Sequence, residues 1–259
     1  MTKRSVFCIF IVFAMVLSAC SAPTKKMQTT ESVRAAIMRL EKMTGNVSVF
    51  EMGERLFYII EKMRLYSGYS VRTEAESSAH ISLDESKVVQ LDEHSDVKIE
   101  SGGSDILLSL SAGNMFFHVD KPLQEKESFQ IRTSNAIVGI RGTSGFVVSK
   151  NQDESTLYLM TGKAEITATS PVTGEIKQET ILPGERVTVY KNEPAQNEEQ
   201  LRIVKDTYTE KDVLKLATDY LNQHDTLRGQ FEAETDFDWE EIFDDDDDDG
   251  DFDYDDDNY

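Results

Sequence analysis

Cysteine is almost missing from this 259-residue chain: there are two, Cys8 and Cys20, both near the N-terminus. A disulfide framework, thiol catalysis and cysteine-held metal are thereby excluded from the body of the protein. Positive charge is scarce as well, with 27 Lys and Arg against 48 Asp and Glu and a net charge of −21. No basic stripe is left to neutralise phosphates, so nucleic acid is not an expected partner. The four histidines, His80, His94, His118 and His224, lack any His-x-x-x-His spacing. A zinc site needs three or four convergent donors, and these four read as surface residues. Gly142-Thr143-Ser144-Gly145 misses the spacing of a nucleophile elbow, and Gly162-Lys163 misses the upstream glycine and the Ser/Thr of a phosphate loop. The chain is therefore read as a non-enzyme with no cofactor and no metal.

Long apolar runs are also few. The run over residues 6–17 is too short for an ordinary spanning helix of roughly 20 residues. It follows Lys3 and Arg4 and ends in Leu17-Ser18-Ala19-Cys20, the pattern of a secretory signal. The ending resembles the lipobox of bacterial lipoproteins, which implies a signal peptide over 1–19, cleavage before Cys20 and lipidation of that thiol. Residues 20–35 are polar and read as a tether, attached to the membrane through the lipid on Cys20.

What is abundant is alternation. Ala79, Ile81 and Leu83 alternate with polar neighbours, as do Val97 and Ile99, and Ala164, Ile166 and Ala168; Met115, Phe117 and Val119 alternate with Phe116 and His118. A period of two marks strands with one buried and one wet face. Turn residues punctuate them at 101–104, 112–114, 161–162, 172–174 and 183–184. A hairpin is expected to join strands at 37–43 and 47–51 through Thr44-Gly45-Asn46, preferred to an amphipathic helix over 32–43. The fold class that follows is mainly β: many short strands in one sandwich-like, barrel-like or stacked-strand domain over 36–191. A linker over 192–206 leads to one C-terminal amphipathic helix over 207–224, with Thr207 as N-cap and Glu210 as its capping-box partner.

Residues 225–259 are assigned to a disordered acidic tail. From Phe231 on there are seventeen Asp or Glu and no Lys or Arg, which leaves about −4 for the rest of the chain. Asp245, Asp247, Asp249, Asp251, Asp253 and Asp256 fall at the ligand spacing of a calcium loop of EF-hand type. Poly-aspartate meets that spacing by accident, so weak divalent-cation association is expected in place of a defined site. Phe237, Trp239, Phe243, Phe252 and Tyr254 suggest instead that the tail docks on a basic, apolar partner surface.

The stretch from Gly139 through Arg141-Gly142-Thr143 to Gly145 and Val148 reads as strand, tight corner, strand. Arg132 and Arg141 are the candidate binding residues, since a guanidinium can clamp a partner carboxylate with its fork. The preferred reading of Arg141 is structural: it holds the corner by bonding carbonyls or an internal acid, so that Arg141→Lys would lower the melting temperature. Together with 63–73, 79–97, 107–119, 129–133 and 159–166, this stretch resembles the FecR domain over roughly 38–190. The resemblance implies a mostly β extracytoplasmic module; in the iron-uptake regulators of that family it receives a signal from an outer-membrane receptor while a cytoplasmic arm controls a sigma factor. Here a lipid anchor stands in place of a spanning helix, and no cytoplasmic arm is read. The expectation is a lipid-anchored binding or sensing module facing outside the cytoplasm, partnered by an envelope protein. The alternative is a structural envelope component whose acidic tail engages cell-wall polymer or cations.

Overall fold

The structure is a computed structural model that describes residues 37–51, 55–57, 59–170, 173–191, 201–235 and 237. The signal peptide, Cys20, the tether, most of the linker and the calcium-like spacing lie outside the described residues. So do Trp239, Phe243, Phe252 and Tyr254 of the tail, whereas Phe237 is described.

Among the described residues, seventeen strands are linked through hydrogen bonds. Their pairing resolves into two layers. The first, sheet A, runs β4 (Met63–Arg64), β1 (Arg39–Thr44), β6 (Ser78–Ser82), β7 (Lys87–Leu91), β9 (Asp105–Val119), β12 (Ser144–Ser149), β13 (Glu154–Thr161), β16 (Glu185–Tyr190) and β17 (Arg202–Thr207). Sheet B runs β3 (Arg55–Leu56), β2 (Val47–Glu51), β5 (Tyr69–Thr73), β8 (Asp96–Gly102), β9 again, β10 (Ser128–Arg132), β11 (Ala136–Ile140), β14 (Ala164–Thr169) and β15 (Ile176–Ile181). The strand common to both is β9, whose first half pairs with β8 and β10 and whose second half pairs with β7 and β12. All pairings are antiparallel except β9 with β10.

Alternation explains the core between the layers. Ala79, Leu91, Met115, Val147, Leu157 and Val187 stand opposite one another across sheet A and are buried. Val71, Val97, Leu110, Ile131, Val138 and Ile166 are buried from sheet B, and both sets belong to one cluster. Burial of that apolar area stabilises the fold at about 25 cal/mol per Å².

Two turn expectations change in the structure. Residues 44–46 do not close a hairpin: β1 pairs with β4 and β6 in sheet A, while β2 pairs with β3 and β5 in sheet B. The turn chemistry is right, since Gly45 has φ +68°, but it serves a crossing between layers. Residues 112–114 are not a turn either, because they lie inside β9. Gly113 has φ +87° and bends the strand from one layer into the other. The buried Ser95 fixes that bend: the Asn114 N–H donates to its hydroxyl at 3.0 Å, and the hydroxyl donates to the Asn114 carbonyl at 3.0 Å.

The C-terminal part also differs in detail. Residues 202–207, read as linker and helix start, form β17, because Ile203 and its neighbours pair with β16. The capping box exists two residues later than expected, between Thr209 and Asp212, and it closes a single 3-10 turn at Glu210–Asp212. Two helices then follow, α1 (Lys215–Asn222) and α2 (Asp225–Glu234). The second lies in the stretch assigned to the tail; its Leu227 and Phe231 are buried. Charge composition obscured this helix, because its acids sit on the exposed side of two buried anchors.

The helices cover the outer face of sheet A. Leu216, Ala217, Tyr220, Leu221, Leu227 and Phe231 pack on Phe116, Phe146 and Met160 as a second apolar cluster, with Phe237 against its edge. Polar fasteners hold the rim: the Gly162 N–H donates to Glu234 Oε2 at 2.6 Å, and the Tyr208 hydroxyl donates to the Leu159 carbonyl at 2.9 Å. The central strands of sheet A thus have two buried faces.

Candidate binding face

The corner at 141–143 carries the chain from β11 in sheet B to β12 in sheet A. Its glycines have distinct reasons. Gly142 has φ +99°, and a Cβ there would meet the Pro122 Cα at 2.9 Å. A Cβ on Gly145 would run into the Tyr158 carbonyl across the ladder, whereas one on Gly139 would meet only the Glu165 carbonyl at 3.9 Å. Strand, corner, strand is what the structure has.

Arg141 does not hold this corner. Its side chain is exposed and makes no hydrogen bond or ion pair with a described residue. The Thr143–Ser144 end of the corner is fixed from elsewhere: the Val119 N–H donates to the Thr143 carbonyl at 3.1 Å, and the Ser144 N–H donates to Thr161 Oγ1 at 3.1 Å. Arg141→Lys is therefore expected to leave stability unchanged within about 0.5 kcal/mol, checked by thermal and urea melts. A melting temperature lower by more than a few degrees would restore the structural role.

Arg132 stands at the other end of the β10–β11 hairpin, so the two arginines are not brought together. It projects from the outer face of sheet B, which among the described residues has no covering layer. Register places Lys98, Ser109, Arg132, Ile137 and Thr167 side by side across five strands, and Glu100, Leu107, Gln130, Gly139 and Glu165 in the adjacent row. Gly139 removes a side chain from the middle of that second row and flattens it.

Two hollows lie along this face. One, of about 400 Å³, is lined by Ser109, Ser111, Arg132, Thr133, Ser134 and Lys191 among others. The other, of about 490 Å³, includes Ser67, Glu100, Ser101, Asp105 and Gln130. The first has hydroxyls and two cations; the second has hydroxyls and two acids. The first is braced on one side, since Asn135 Nδ2 donates to the Asp153 and Val189 carbonyls at 3.0 and 2.8 Å and so pins the turn beside Arg132. Lys98 donates to Glu100 at 2.8 Å, and that bond holds the Glu100 carboxyl below the usual range, helped by the Lys98 charge and more weakly by Arg132. Arg132 itself has no hydrogen-bond or ion-pair partner among the described residues. Its fork is left to receive a carboxylate or another planar anion.

The histidines are less scattered than their spacing suggests. His80 and His118 do lie opposite the core, but on the outer face of sheet A, where α1 covers them. They are half-buried, and together with His224 they surround Tyr220 at centroid distances of 6.2, 5.8 and 3.9 Å. Burial holds the His80 and His118 pKa values below the ordinary imidazole value. The signal that finds this layer in the sequence is the aromatic content of the supposedly wet positions: Phe116, Phe146 and Tyr158 are in phase with His80. Among the described residues, no three His, Cys, Asp or Glu converge as metal ligands.

The model of the family described as FecR protein matches residues 69–165. This segment is similar to the FecR domain. It runs from the start of β5 into β14 and so contains the bend of β9, the 141–143 corner and Arg132. The resemblance read over 38–190 is wider than the match; β1, β2 and β15–β17 extend the same two layers outside it, and the cap helices follow. Two solved structures of a candidate anti-sigma factor from Parabacteroides distasonis are similar to the chain. One has 19% identity and a TM-score of 0.45, covering 58% of this chain and 64% of that one. The other has 20% identity and a TM-score of 0.44, covering 57% and 62%. The chain thus spans under two thirds of the length of each. No curated protein matches it.

Proposed function

We propose that the chain is a lipid-anchored, extracytoplasmic module that uses its FecR domain to bind a protein or ligand at the cell envelope and performs no chemistry on it. The observation that carries this reading is the face of sheet B within the FecR domain, uncovered among the described residues, where Arg132 has no hydrogen-bond or ion-pair partner among those residues. A fold that buries both faces of the central strands of one sheet and, among the described residues, leaves the other sheet polar and open has a side set apart for contact. The location is supported by the signal and lipobox pattern ending at Cys20. In this reading Arg132 clamps an acidic group of the partner, with Arg141 at the far end of the hairpin as a second contact.

The test places a photo-crosslinking side chain at Ser134, on the rim of the Arg132 hollow, in the full chain in bacterial cells. The expected result is a discrete protein adduct that Arg132→Glu reduces at least tenfold. Palmitate labelling and membrane fractionation of the Cys20→Ser variant are expected to show loss of both label and anchorage. Sedimentation with cell wall and no adduct would favour the structural envelope role instead.

A further inference from the structure

We propose that α1, α2 and Phe237 form an acid-releasable cap on sheet A, latched by His80, His118 and His224 closing around Tyr220. The cap meets the sandwich in two polar places, the Gly162–Glu234 bond at its rim and this ring cluster at its centre. Tyr220 enters between two strands' histidines, tilted against His118 at 48° and nearly parallel to His80 at 19°, with the His224 ring stacked on it at 13°. Directly beneath it lies Phe116, at 5.0 Å. The latch is therefore set into the apolar seam that the cap exists to cover.

The hydrogen bonds describe a neutral latch. The Gln90 amide N–H donates to His80 Nδ1 at 3.1 Å, a bond available only while that nitrogen carries no proton. His118 Nδ1 meets Ser144 Oγ at 2.7 Å, which either tautomer permits. His224 Nδ1 meets the Tyr220 carbonyl at 2.7 Å and must donate to it, so this ring is tied to the last turn of α1 and travels with the helix.

Charging the cluster opposes closure. His80 comes from β6, His118 from β9 and His224 from the link between the two cap helices, and positive charge on His224 works against charge on both others. Lys42 on β1 adds to that opposition at His80, and Glu41 counteracts it. Asp120, just past β9, favours charge on His118 and disfavours ionisation of Tyr220, whose pKa is pushed up to about 12, mainly by burial. Burial is the largest influence on both covered histidines. Their folded pKa values lie below the ordinary 6.5, so the released state binds more protons than the closed one. Closure is therefore fully favoured above that value and weakens as the pH falls below it toward the lowered values.

Release would bare Phe116, Phe146 and Met160 while leaving the inner core of the sandwich intact, since that core shares none of these residues. Only the physiological sense of the latch rests on the extracytoplasmic location proposed above, where external pH is met directly; the test reads the latch wherever the chain resides. Hydrogen exchange of the full chain is followed at pH 7.5 and pH 5.0, corrected for the intrinsic rate. Amides of residues 215–235 are expected to lose protection at least tenfold at the lower pH, while β9, β12 and β13 keep theirs. The His80→Gln/His118→Gln double variant is expected to hold protection at both values. Should that variant fail to fold, the imidazole carbon shifts of the parent chain serve: two histidines should titrate below 6.5 in step with loss of cap signals. Uniform loss across all strands, no loss at pH 5.0, or an identical response in the folded double variant would overturn the latch.

Discussion

Gly113→Ala should destabilise the domain by about 3 kcal/mol, summed from left-handed backbone strain and overpacking, and lower its melting temperature by roughly 6–12 °C. Two costs add at that position. The backbone sits at φ +87°, where a side chain brings strain. The added Cβ would also meet the Ser95 Cα at 2.5 Å and the His94 carbonyl at 2.7 Å, and these are backbone atoms that cannot swing aside. Relief means moving Ser95 away, which breaks its two bonds to Asn114 at the point where β9 leaves β8 for β12. Gly103→Ala is the matched control: its φ is +69°, but nothing lies within 4 Å of the added atom. That variant should lose only about 1 kcal/mol. Equal melts for the two would mean that the bend in β9 is not held by this contact.

Phe116→Ala is expected to cost about 3–4 kcal/mol, in the range for emptying a buried aromatic site. Alternation along 115–119 puts Phe116 on the wet face, where truncation would matter little. In the structure it is fully buried, lies in register between Gln90 and Phe146, and touches Tyr220. Leu107→Ala provides the contrast, since Leu107 lies on the uncovered face of sheet B and is half-exposed. About 1 kcal/mol is expected there, from partial loss of apolar burial. Urea melts of both variants decide the matter; a loss at Phe116 no larger than at Leu107 would show that the cap does not cover sheet A in solution.

The particular residues show where sequence reasoning succeeds and where it stops. Ala79, Ile81, Val97, Ile99, Ala164 and Ile166 are all buried as their alternation requires, because a strand's period of two is a local property. Which strands are neighbours is not local. Gly45 and Gly113 announce positive φ equally well for a hairpin and for a crossing between layers, and only the pairing partners distinguish them. The cap was legible in part, as an amphipathic helix, but its second half was hidden by the acidic composition around Leu227 and Phe231. Arg132 and Arg141 stood out in the sequence, whereas the three histidines around Tyr220 did not, because they are 38, 106 and 144 residues apart in pairs drawn from β6, β9 and the α1–α2 link. The FecR resemblance located the domain, whereas the open face of sheet B is legible only from the pairing of strands.

Because the helices that seal sheet A follow all its strands in the chain, they leave the ribosome or a translocation channel only after every strand has emerged. Until residues 215–235 emerge, a completed sandwich would present Phe116, Phe146, Met160 and Tyr158 to its surroundings as a sticky aromatic stripe. A chain interrupted before α1 would be well ordered in its core and yet prone to self-association, so quality control of this protein hinges on its final helices more than on its many strands.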